Sequence, residues 1–154
     1  MSNNIVVVDA SLAIKWVLRE EDSYVAGKLL AHWGREKTKP TAPALFAYEI
    51  TNIMYRQVVA KKITYAEASK GLAKIFSVGI LLHSSSLHDV STRAMELAHQ
   101  FNLPATYDAH YLALTEIENC ECWTADKKLL NAVKGKISWV HSLDDYILSG
   151  DDLS

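Results

Sequence analysis

An unbroken apolar block, residues 5–8 (IVVV), stops abruptly at Asp9. Four β-branched residues with no polar interruption suit a strand buried on both faces, as in a parallel sheet. The spacing then becomes helical, with Leu12, Ile14, Trp16 and Val17 apolar and Lys15, Arg19 and Glu20 polar. A second helical stretch carries Tyr24, Leu29, Leu30 and Trp33. Residues 37–43 hold two prolines and break the pattern as a short extended segment. From Leu45, the apolar positions Ile50, Ile53, Met54 and Val58 recur at helical intervals to about Lys61. Thr64 and Glu67 stand three apart ahead of an Ala-rich stretch, a capping box that opens a fourth helix.

The second half continues the alternation. Residues 78–83 read as a second strand, and 86–101 as a helix with Val90, Ala94, Leu97 and Ala98 on one face. Asn102-Leu103-Pro104 stops that helix. Further helices are predicted over 107–118 and 125–133, strands over 120–124 and 138–140, and a terminal helical turn over 144–148. Strands alternate with helices through connections too long for hairpins. The expected fold is therefore α/β, three layers with a central, mainly parallel sheet flanked by helices. No repeat or linker divides the chain, so 1–148 is expected as one domain and 149–154 as a polar C-terminal tail.

Composition narrows the function classes. No apolar run approaches the roughly 20 residues of a membrane helix, and the opening MSNNIVVVDAS lacks the basic region of a signal peptide. A cytoplasmic protein without membrane contact is the expectation. Cys120 and Cys122 share a strand face and are too few for a structural zinc site, so they read as small core residues. The histidines show no metal-ligand spacing. His88-Asp89 matches the metal dyad of HD phosphohydrolases but lacks the companion histidines, and reads as polarity at a helix N-terminus. Of the aromatic residues, Trp16, Trp33, Tyr48 and Tyr55 are read as mainly core, with any exposed subset free to line a groove for a partner's helix.

The net charge of −2 conceals two unlike halves. Residues 1–80 carry 11 basic and 7 acidic residues, and residues 81–154 carry 5 basic and 11 acidic. Acids also occupy the places where ligands bind. Asp9 closes the first strand and Asp126 follows CECWTA, both at strand carboxyl ends, where open α/β sheets bind ligands. Glu49 sits among Phe46, Ile50 and Ile53, and Asp108 lies beside Tyr107. Taken singly, Asp9 and Asp126 read as helix N-caps and Asp108 as a first-turn acid. If the four converge, their repulsion requires protonation or a cation. An all-oxygen set favours a hard ion such as Mg²⁺ or Mn²⁺, suited to phosphoryl chemistry.

At these residues the sequence resembles the PIN-domain ribonucleases, specifically the VapC-type toxins of toxin–antitoxin pairs. VVVDASLAIKW is similar to the family's opening strand and Asp-x-Ser/Thr motif, and APALFAYEITNIMYR to its Glu-bearing segment. LPATYDAHYLALTE resembles the third motif, and CWTADKKLLNAV the Thr-x-Asp motif. The resemblance implies a PIN-like nuclease fold with Asp9, Glu49, Asp108 and Asp126 as catalytic, metal-binding acids, and Ser11 and Thr124 as their polar neighbours. It also implies an RNA substrate, a homodimer and a cognate antitoxin covering the site. Lys15 and Arg19, taken as an i, i+4 pair on the first helix, and Lys127 and Lys128 beside Asp126 are candidate contacts to RNA phosphates.

Two other readings stay open on the residues. A receiver-like signalling domain is also α/β with acids at strand ends, although it needs an acid pair after the first strand, and here Ala10 follows Asp9. A catalytically silent α/β binding module is the other. Setting aside the four candidate ligands leaves 14 acids against 16 bases, so near-neutrality does not argue against RNA.

Overall fold

The IVVV block lies in the middle of the sheet. A computed structural model describes residues 4–84 and 86–150 and contains five strands in the order β3-β2-β1-β4-β5, every paired neighbour parallel. These are β1 (Ile5–Val8), β2 (Lys39–Pro43), β3 (Leu81–His83), β4 (Glu121–Trp123) and β5 (Val140–His141). Val7 and Val8 are fully buried, as expected of a central strand covered on both faces. Residues 151–154, most of the expected polar tail, and the first three residues of the opening segment lie outside the described residues.

The helices are α1 (Ala10–Ala13), α2 (Ser23–Arg35), α3 (Leu45–Val59), α4 (Tyr65–Ser77), α5 (Leu87–Gln100), α6 (Tyr107–Glu118), α7 (Lys127–Val133) and α8 (Leu143–Ser149). Helix α6 packs on β1, β2 and β4, and α5 packs on α6. Helices α2 and α8 pack together, with α2 against β2, and α3 and α4 form a hairpin beside β2 and α1. Gly71 of α4 faces the α3 side of that hairpin, where a Cβ would sit 2.8 Å from the mobile end of the Met54 side chain.

The structure corrects the sequence expectations in four places. Residues 39–43 are a full strand, not merely an extended segment, and their prolines fall where no ladder donor is required. Lys39 N donates to Asn4 O on the β1 side, so Pro40 faces the β3 flank, one residue before that pairing begins at Thr41–Leu81. Pro43 faces β1 beyond its last pairing, Val7–Thr41. The first helix is a single turn that passes into a 3₁₀ turn at Ile14–Trp16 and ends at Val17, with φ −124°. Arg19 lies past it, so Lys15 and Arg19 do not share a helix face. Tyr48 and Tyr55 are exposed, not core, at 73% and 59%. Trp16 and Trp33 do pack inward, in an edge-to-face contact with centroids 6.3 Å apart. The last helix extends through Ser149, and Ser142 and Asp145 open it with a capping box.

The strand order also separates two readings. A receiver-type sheet runs 2-1-3-4-5; here β1 lies between β2 and β4. The chain fills the sheet outward from β1 through β2 and β3, then returns to lay β4 on the other side of β1. That reversal puts a topological switch point at the carboxyl ends of β1 and β4, where open sheets form a ligand crevice.

Candidate metal centre

Asp9 ends β1 at this crevice. It is 3% exposed. Its backbone carbonyl accepts from Leu12 N and Ala13 N, but its side chain makes no capping bond to α1, which removes the simple N-cap reading. The carboxylate instead receives two hydroxyls on one oxygen: Ser11 Oγ donates to Oδ2 at 2.8 Å and Thr124 Oγ1 at 2.7 Å. Each hydroxyl is oriented by a backbone N–H from the β4–α7 connection. Ala125 N donates to Ser11 Oγ and Asp126 N to Thr124 Oγ1. Thr124 is fully buried. Burial nevertheless pushes the Asp9 carboxyl above the usual carboxylate range, against those hydrogen bonds and with help from the Asp126 charge.

Asp126 does cap its helix, accepting on Oδ1 from Lys128 N and Leu129 N. The capping reading and the cluster reading are therefore both true of it. Asp108 enters from the first turn of α6. Oxygens of Asp9, Asp108 and Asp126 lie within 4.8 Å of one another. Burial, and then the charges of Asp126, Asp9 and Glu49, push Asp108 up to about 7.

Glu49 stands beside this group rather than within it. It is half-buried, and its Oε1 accepts from the Tyr111 hydroxyl at 2.6 Å. Its carboxyl is also raised, by burial first and then by the charges of Asp9 and Asp126. Tyr111 is the site residue that the sequence reading missed. Its signal was present: it follows Asp108 by three positions and shares that helix face.

The candidate phosphate contacts divide. Lys127 and Lys128 are exposed in the turn after Asp126. Lys15 is committed to Glu20 and to Asp22, the latter at 2.8 Å. Arg19 is exposed. His88 and Asp89 are both exposed on α5, away from any metal-binding group among the described residues. Cys120 and Cys122 are free thiols, Cys122 fully buried.

The donor set suits a hard divalent cation. Three carboxylates converge, and among the described residues no Lys or Arg forms an ion pair with any of them. Oxygen donors of this kind select Mg²⁺ or Mn²⁺ over soft ions.

A parallel sheet in the order β3-β2-β1-β4-β5 with acids gathered at its switch point has the architecture of PIN-like folds, and solved structures agree. The PAE2754 protein of Pyrobaculum aerophilum matches with TM-score 0.64 and 21% identity, covering 94% of this chain and 87% of that one. A toxin–antitoxin complex from Klebsiella pneumoniae matches with TM-score 0.64 and 19% identity, over 90% and 97% of the respective chains. VapC20 of Mycobacterium tuberculosis, a toxin that cleaves the sarcin–ricin loop, matches with TM-score 0.62 and 15% identity, over 82% and 94%. No protein-family model matches the chain. Exonuclease VapC9 of Pyrobaculum aerophilum is 30% identical over 112 residues, covering 71% of this chain and 80% of that protein. The chain belongs to the VapC family of PIN-domain proteins.

Proposed function

We propose that this chain is a divalent-metal-dependent endoribonuclease and the toxin of a type II toxin–antitoxin pair, acting in the cytoplasm. The observation that carries the reading is the meeting of Asp9, Asp108 and Asp126 at the β1/β4 switch point of a VapC-family fold. These three, with Glu49 beside them, would hold Mg²⁺ or Mn²⁺. When bound, such an ion neutralises phosphate charge and acidifies a water.

The chain's own groups do the rest. Ser11 and Thr124 hold the Asp9 carboxylate in one rotation, and the α7 cap holds Asp126. Asp108 would hold such an ion as a carboxylate, and so would give up its proton on binding it. Lys127 and Lys128, exposed in the turn after Asp126, would contact the RNA phosphates. In-line attack of water at phosphorus would form the new P–O bond and break the bond to the 3′ oxygen; the water gives up a proton to solvent and the 3′ oxygen takes one up. The products are a 3′-hydroxyl and a 5′-phosphate.

A named nuclease relative and a toxin–antitoxin complex of the same fold support the partner reading. So does an apolar stripe on α3, where Tyr48, Tyr55 and Val59 are exposed at i, i+7 and i+11 on one helix face. We assign it to protein contact, with the antitoxin or with the second copy of a homodimer. Among the described residues no helix is long and apolar enough to cross a membrane.

The test is RNA cleavage by purified protein. Wild type with Mg²⁺ should cut, while Asp9→Asn, Asp108→Asn and Glu49→Gln should keep the fold by circular dichroism and lose cleavage. Full activity in EDTA, or in Asp9→Asn, would sink the proposal.

A further inference from the structure

One buried phenol ties together two helices that carry acids of the site. Tyr111 has no exposed surface. It projects from α6, one turn after Asp108, and donates to Glu49 Oε1 on α3 at 2.6 Å. Two of the three aspartates need no such strut. Asp9 is held by two hydroxyls and Asp126 by its helix cap. Asp108 is set by the first turn of α6.

Glu49 differs. It has the longest arm of the four and loses the most rotamer freedom when fixed. It is also absent from the group whose oxygens lie within 4.8 Å of one another. Without a partner it would have many ways to point. A buried phenol needs an acceptor, yet a backbone carbonyl would serve that need as well. The acceptor here is instead a carboxylate of the site that makes no other hydrogen bond among the described residues.

We propose that Tyr111 is a positioning residue for Glu49: it grips one carboxylate oxygen and leaves the other for the bound cation, making Glu49 the fourth arm of the site. This rests on reading the cluster as a divalent-cation centre. Partners of this outer kind set metal affinity by about 10- to 100-fold.

The experiment is a calorimetric Mn²⁺ titration of wild type, Tyr111→Phe, Glu49→Gln and the double variant, each verified by circular dichroism. Tyr111→Phe should bind Mn²⁺ at least about tenfold more weakly, and Glu49→Gln as weakly or more so. The double variant should be no weaker than Glu49→Gln alone, because the phenol acts only through Glu49. With RNA, Tyr111→Phe should lower kcat and leave KM unchanged. Wild-type Mn²⁺ affinity in Tyr111→Phe, or additive losses in the double variant, would overturn the proposal. Wild type that binds no Mn²⁺ would instead sink the cation reading, and the positioning role with it. Should Tyr111→Phe not be native, Glu49→Asp carries the test, because it keeps the carboxylate but withdraws it from the phenol. It should lose affinity as Glu49→Gln does, and wild-type affinity there would overturn the proposal.

Discussion

Burial and the neighbouring acids raise the Asp108 carboxyl to near neutral pH, and that has a measurable consequence for the metal-free protein. Its carboxyl sits at about 7 in the folded state against an ordinary 3.8, because burial and three nearby acids disfavour its charge. The folded state therefore binds more protons than the unfolded one between these values, and stability falls as pH rises through that window. Asp9 and Glu49, both raised, act in the same direction. In EDTA the melting temperature should rise as pH is lowered from 8 to 5. The slope should shrink in Asp108→Asn and disappear with saturating Mg²⁺. A flat profile in EDTA would show that the acids do not repel one another as the geometry requires. At this scale the acids were legible in the sequence, because each lies beside a strand end or in an apolar run where a charge is out of place. Their partners were less so. Lys15 is diverted to Glu20 and Asp22 because the first helix breaks into a 3₁₀ turn, a backbone event that spacing does not reveal.

Among the elements, α4 offers the cleanest local test. Thr64 Oγ1 accepts from Glu67 N and the Glu67 carboxylate accepts from Thr64 N, both at 3.1 Å, as the T-x-x-E spacing predicts. Thr64→Ala should cost about 1 kcal/mol, lowering the melting temperature by about 2–4 °C in a chain of this size, without changing Mn²⁺ affinity. An unchanged melting temperature would show that the box contributes nothing. The same signal was present at Ser142 and Asp145 but was hidden by a short terminal segment. Strand β2 was obscured for a different reason. Prolines usually argue against an internal strand, and only the stagger of the neighbouring ladders shows that Pro40 and Pro43 displace no hydrogen bond. The exposed Tyr48 and Tyr55 were misread because helical spacing records a face, not whether that face meets the core.

Across the whole molecule, the contrast between the two halves resolves into separate tasks. In the acidic second half, Glu96 and Glu116 bind Arg93. Glu121 and Asp145 flank His141, and Glu118 faces His83. Asp108 and Asp126 belong to the crevice. The acid excess is thus part ion pairing and part the carboxylate cluster of the crevice, and a bound ion would turn that crevice toward phosphate. The central claim is that three aspartates at the switch point make this VapC-family chain a metal-dependent RNA endonuclease. A covalently closed circular RNA tests it most directly, because it has no end for an exonuclease to enter. Wild type with Mg²⁺ should convert the circle to linear RNA bearing a 5′-phosphate and a 3′-hydroxyl, whereas Asp9→Asn, or wild type in EDTA, should leave it closed. A circle untouched by wild type in Mg²⁺ or Mn²⁺, or opened equally well in EDTA, would contradict the account.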